Sequence, residues 1–139
     1  MRAGAILELL EGLPDGDRLC HGDFHPGNIM MAGGEPVLID WTNATRGDPT
    51  ADVARTRLML RIGTPPPGTS AVLRGLSLFG RRVLVWLYLR AYRRVRPLDV
   101  EAVARWEVPV AAARFAERIP EETPALRACM ERARGGSSP

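Results

Sequence analysis

Lysine is absent from this chain: all nineteen of its basic residues are arginines. That removes the compact ammonium group which nucleotide sites often use to grip phosphate. Cysteine is nearly absent too. Cys20 and Cys129 lie far apart and neither belongs to a CxxC pair, which excludes a disulfide framework and a zinc knuckle and fits a reducing compartment. Long apolar runs are also missing. The greasiest stretch, Val83 to Tyr92, is bracketed and interrupted by arginines and is too short to span a bilayer. The amino-terminal segment carries Glu8 and Glu11 where a signal peptide needs unbroken apolar sequence. These absences predict a cytoplasmic protein with no membrane partner.

What is present is ordinary globular composition, with 45% hydrophobic and 25% charged residues in 139. One compact domain over residues 1–134 is expected, followed by a disordered tail at 135–139 that is rich in glycine and serine. The net charge of +3 is modest, and its excess falls on Arg81, Arg82, Arg90, Arg93, Arg94 and Arg96, all within one predicted helix. A solvated helix face accounts for that cluster better than nucleic-acid binding does, so no nucleic-acid partner is predicted.

Apolar positions at helical spacing predict a short helix over residues 3–11, ended by Gly12 and the turn Pro14-Asp15-Gly16. Arg18-Leu19-Cys20 reads as a brief extended run. Ile29-Met30-Met31 and Val37-Leu38-Ile39, separated by a segment containing Gly33-Gly34, read as a hairpin. Asp48-Pro49 starts a helix over 49–62, since the aspartate can cap free N–H groups while proline needs no donor there. The Gly63–Gly68 stretch, with three consecutive prolines, reads as a stiff connector. Residues 70–95 predict one long helix or a pair broken near Gly80, stopped by Pro97. Residues 98–118 predict a helix kinked at Pro109, and 121–133 a last short one. The fold class is therefore α+β and mostly helical.

The unusual chemistry sits in two loops. His21-Gly22-Asp23-Phe24-His25-Pro26-Gly27-Asn28 sets a carboxylate and a carboxamide five residues apart in a loop stiffened by proline, and Asp40 follows twelve residues later, beyond the hairpin. Phosphoryl transfer needs a group that orients the attacking hydroxyl and accepts its proton, together with hard oxygen ligands for magnesium. Asp23, Asn28 and Asp40 supply such a set, and a hairpin between the last two is a rigid way of turning both toward one point.

The spacing is that of the protein-kinase catalytic loop, with departures: glycine follows the histidine, and Trp41 follows Asp40. In this form, HGDFHPGN followed by LIDW and then RGDPTADVA, the chain resembles the aminoglycoside phosphotransferase and choline kinase-like family. The three motifs stand in the family's order and spacing, and the resemblance is strong over roughly the first half of the chain. It implies the larger, C-terminal lobe of a protein kinase-like fold with one small β-hairpin. It also implies Asp23 as catalytic base, Asn28 and Asp40 as magnesium ligands, and His21 as a buttress of the loop. Asp48 would cap the next helix and tie down the catalytic segment, helped by Asp52. The implied cofactors are magnesium and ATP or another nucleoside triphosphate; the implied partner is a small molecule with a hydroxyl, such as an aminoglycoside, a choline-like alcohol, an amino alcohol or a sugar.

A kinase-type enzyme grips ATP with a second lobe that supplies a glycine-rich strand turn and a lysine. Only twenty-two residues precede Asp23, too few for several strands and their turns, and neither feature occurs. The N-terminal ATP-binding lobe is thus expected to be missing. The chain reads as a fragment, as the product of a late start, or as a degenerate relative that no longer catalyses.

Plainer readings stand beside these. Asp48 explains itself as a helix cap, His25 as a loop stabiliser as readily as a substrate contact, and Phe24 and Trp41 as packing residues. Glu101, Glu107, Glu117, Glu121 and Glu122 are candidates for attracting a cationic acceptor. A non-catalytic kinase-like binding module is one alternative function. A metal-dependent hydrolase, using His21, Asp23 and His25 as ligands, is the weaker one, because Pro26-Gly27 ends any strand at once and no third histidine exists.

Overall fold

A computed structural model describes residues 3–63 and 70–135. All of the connector expected over 63–68 except Gly63, and the end of the tail, 136–139, lie outside the described residues. The elements run in the order α1 (Ala3–Glu11), β1 (Arg18–Cys20), β2 (Ile29–Ala32), β3 (Glu35–Leu38), β4 (Thr45–Gly47), α2 (Pro49–Ile62), α3 (Ala71–Val95), α4 (Val100–Ala116) and α5 (Thr123–Gly135). The architecture is α+β and mostly helical. Gly135, assigned from sequence to the tail, closes α5.

The buried core is helical. Val53, Ala54 and Leu58 of α2 meet Val103, Val110 and Ala111 of α4 and Leu126, Cys129 and Met130 of α5. Each large side chain so enclosed contributes roughly 1.5–3 kcal/mol. Helix α2 is fixed at its start as predicted, with Asp48 Oδ1 accepting from the Thr50 amide at 2.7 Å and Pro49 in the first turn. Helix α3 runs unbroken for 25 residues. Gly80 does not divide it, because one interior glycine costs only about 1 kcal/mol. Pro109 is accommodated inside α4, where it is buried.

Two small antiparallel sheets carry the loops. Strands β2 and β3 form the expected hairpin, pairing Ile29 with Leu38 and Ala32 with Glu35 across a turn in which Gly33 and Gly34 both have positive φ. The expectation of a single hairpin falls short by one sheet. Strand β1 pairs with β4, Cys20 facing Thr45 and Arg18 facing Gly47, so the segments before the first motif and after the second are stitched together. Helix α2 follows β4 directly and packs under both loops.

Candidate active site

The loop between β1 and β2 is built around His21, which is only 4% exposed. The Asp23 amide donates to its Nδ1 at 3.2 Å, which puts the ring proton on Nε2, and Nε2 lies 3.0 Å from the Ile39 carbonyl. One imidazole therefore joins the start of the catalytic loop to the residue before Asp40. The tilted ring of Trp41 lies against it, with centroids 4.6 Å apart, and the indole donates to the Leu38 carbonyl. Gly22 has φ +76°, and a Cβ there would collide with the Asn43 carbonyl. That contact explains the glycine in the first motif.

Asp48 and Asp52 divide the work that sequence reasoning gave mainly to Asp48. Asp48 caps α2. Asp52, one turn further on, receives the His21 amide on Oδ2 at 2.9 Å and the Gly22 amide on Oδ1 at 2.8 Å. The tie to the catalytic segment is thus Asp52: only a side chain inside the first turn of α2, on the face toward β1, can reach both N–H groups.

His25 closes the loop from the other side. Its Nδ1 accepts from the Gly27 amide at 3.0 Å, capping the 3₁₀ turn Pro26–Asn28, while its Nε2 lies 3.6 Å from Asp23 Oδ2. Asn28 is buried and spends its amide nitrogen on Asp23, donating to the backbone oxygen at 2.9 Å and to Oδ2 at 3.3 Å. Its Oδ1 is the atom a hard cation would take. The Ile39 amide donates to the Asn28 carbonyl at 2.9 Å, so the stem of the hairpin brings Asn28 beside the residue that precedes Asp40.

Asp40 leaves the hairpin in the left-handed region, φ 60° and ψ 65°, which a non-glycine residue adopts at a cost of roughly 1 kcal/mol. That turn aims an exposed carboxylate out of the stem, with Oδ1 accepting from the Thr42 hydroxyl at 2.7 Å. Asn28 offers a neutral oxygen and Asp40 an anionic one. Magnesium suits such a pair, since it takes one or two protein ligands and completes its octahedron with phosphate oxygens and water. The alternative ligand trio fails on geometry, because both ring nitrogens of His21 are already engaged, leaving none for a metal.

Beside the loop, Phe24 stacks on Tyr88 of α3 at 5.7 Å between centroids, and Tyr88 lies 6.2 Å from Tyr92. These rings line a cleft of about 290 Å³ together with His21, Trp41 and Arg96. Burial pushes the Tyr88 phenol up to about 12, so it stays a neutral hydroxyl. Both cysteines are buried thiols whose pKa burial raises, which makes them poor nucleophiles.

Sequence reasoning missed the inner side of Asp23. Its Oδ1 is shut off from solvent with no hydrogen-bond donor, and Arg55 Nη2 of α2 and Arg114 Nη1 of α4 each stop 3.8 Å away. Arg55 was detectable, one turn beyond Asp52 on the same helix face; Arg114 left no sequence signal. Of the acidic residues considered for attracting a cation, Glu117 and Glu122 are bound to these arginines and Glu107 to Arg61. The arginines of α3 behave as expected of a solvated face: Arg82, Arg90, Arg93 and Arg94 are exposed, and Arg90 lies over Trp86.

A loop anchored on a histidine, a hairpin, and an aspartate at its exit carry the motifs singled out in the sequence. The sequence model of the phosphotransferase enzyme family matches residues 1–98, and the chain belongs to that family. Neither the curated proteins nor the solved structures give a significant match.

Proposed function

We propose that this chain is the catalytic part of an ATP-dependent phosphotransferase that moves the γ-phosphoryl group to a hydroxyl of a small molecule. The observation that carries the reading is the convergence of Asp23, Asn28 and the residue before Asp40: the Asn28 amide nitrogen donates to the Asp23 carbonyl at 2.9 Å and to its Oδ2 at 3.3 Å, and the Ile39 amide donates to the Asn28 carbonyl at 2.9 Å. Asp23 presents Oδ2 to the acceptor hydroxyl and takes its proton as the new O–P bond forms and the bond to the ADP oxygen breaks. His25 and Asn28 hold that carboxylate in place, while His21 and Asp52 hold the loop. Asn28 Oδ1 and the Asp40 carboxylate would hold magnesium, which when bound would neutralise charge on the phosphates.

The acceptor is an aminoglycoside-like or choline-like alcohol, an amino alcohol or a sugar. With Glu117, Glu122 and Glu107 occupied by arginines, recognition falls to the aromatic cleft of Phe24, Trp41, Tyr88 and Tyr92 more than to free carboxylates. No lysine is present to grip the triphosphate, so a nucleotide-binding lobe from further sequence or a partner chain completes the enzyme. Its setting is the cytoplasm, without nucleic-acid or membrane partners. No helix among the described residues is long and apolar enough to cross a membrane.

The lack of lysine also favours one other reading, a non-catalytic kinase-like module. Calorimetry of magnesium ATP, with phosphoryl transfer to a panel of small hydroxyl compounds, separates the two when run on this chain and on a form extended upstream in its reading frame. Binding and transfer by the extended form, both lost in Asp40→Ala, support the enzyme. No binding by either form supports the module.

A further inference from the structure

Two guanidinium groups on the buried side of a catalytic aspartate need a reason. Arg55 Nη2 donates to Glu117 Oε1 at 2.7 Å, and Arg114 Nη1 lies 2.7 Å from Glu117 Oε2. The same two nitrogens each stand 3.8 Å from Asp23 Oδ1. Two cations therefore lie between two carboxylates. Arg114 is held further by a two-pronged bond to Glu122, Nε and Nη2 donating at 2.7 and 2.8 Å. That hydrogen bonding holds the guanidinium pKa above its ordinary value.

The side chains of Arg55, Arg114 and Glu122 are 14%, 13% and 13% exposed and that of Glu117 is 36%, which makes this a partly buried network rather than a surface decoration. Burying charges is costly and gains little stability over apolar packing. A cluster retained next to the reacting group is better explained by what it does to that group. At 3.8 Å neither arginine makes a hydrogen bond to Asp23. Their attraction for Oδ1 is nonetheless directional, and it turns the carboxylate so that one oxygen is sealed inside and the other, Oδ2, is offered beside Asn28 and His25.

We propose that Arg55 and Arg114 are positioning residues, a pair of guanidiniums clamped by Glu117 and Glu122 that holds Asp23 by its inner oxygen and commits its outer oxygen to the acceptor hydroxyl. The network draws on α2, α4 and the α4–α5 turn, so the pose of the catalytic carboxylate is set by the packing of the helical core. The inference rests on Asp23 being the proton acceptor of the proposed reaction.

The test reads the aspartate itself. In the ¹³C,¹⁵N-labelled chain, three-bond couplings about χ1 report whether Asp23 keeps a single rotamer. The variants are Arg55→Met, and Arg114→Met combined with Glu122→Gln so that no buried carboxylate is stranded. The control is Arg61→Met with Glu107→Gln, which removes another α2–α4 ion pair away from Asp23. We expect Asp23 to average between rotamers in both test variants and to stay fixed in the control. In a form that turns over magnesium ATP, kcat should fall about 100-fold with the KM for ATP unchanged, as for a misplaced catalytic group.

A single Asp23 rotamer in both test variants overturns the proposal. Should the Arg114 double variant fail to fold, Arg114→Lys, which keeps a cation but loses the fork, is read by the same couplings. If Asp23→Asn leaves turnover intact, the reading of Asp23 as the base fails instead, and the couplings still decide the clamp.

Discussion

Asp52 ties the loop between β1 and β2 to helix α2. Its carboxylate is the acceptor for two consecutive amides, those of His21 and Gly22. A hydrogen bond to a charged group is worth roughly 1.5–3 kcal/mol, and the two bonds to one carboxylate are not additive. Asp52→Ala is expected to lower unfolding stability by about 3 kcal/mol in urea titration, and Asp52→Asn, which keeps one acceptor oxygen, by about half as much. The amides of His21 and Gly22 should also exchange with solvent faster in both variants. The sequence pointed to Asp48 first because Asp-Pro is a local signal, read within two residues. What Asp52 bonds lies some thirty positions earlier in the chain, and no periodicity reports that.

At the scale of elements, local chemistry was legible and pairing at a distance was not. Helices α1 and α2 fall where the sequence puts them, because glycine, proline and a capping aspartate mark their ends. Asp48→Ala should cost about 1 kcal/mol of stability, with Asp48→Asn close to neutral, measured by thermal or urea unfolding. The hairpin of β2 and β3 was equally legible from its two apolar runs and glycine turn. The β1–β4 sheet was not, since each strand has three residues and their partners are brought together only by the loops between them. Helix α3 shows the opposite limit. Gly80 looked like a break, yet the helix is long enough to absorb the cost. The arginine clamp was illegible for the same reason as the small sheet, being assembled from α2, α4 and the turn before α5.

Across the whole molecule, burial and chemistry are separated. The contiguous core belongs to α2, α4 and α5, while the hairpin and the outer side of α3 leave large apolar side chains in water, among them Met31, Leu76, Phe79 and Trp86, all more than half exposed. The site lies where these regions meet, its aspartates on loops and its supports on helices, which is the arrangement that lets a rigid scaffold fix reactive groups. The fold class and the family were readable from sequence, because each motif is short and contiguous. The aromatic cleft was not, since Phe24 and Trp41 come from two loops and Tyr88 and Tyr92 from α3.

The central claim is that Asn28 and Asp40 hold the metal of a phosphoryl-transfer site at Asp23. Paramagnetic broadening by manganese ATP, read residue by residue in the ¹⁵N-labelled chain, tests it most directly and registers even weak binding. The account predicts broadening centred on Asn28, Asp40 and Asp23 that disappears in Asp40→Ala. Broadening centred elsewhere, or unchanged by Asp40→Ala, would contradict it.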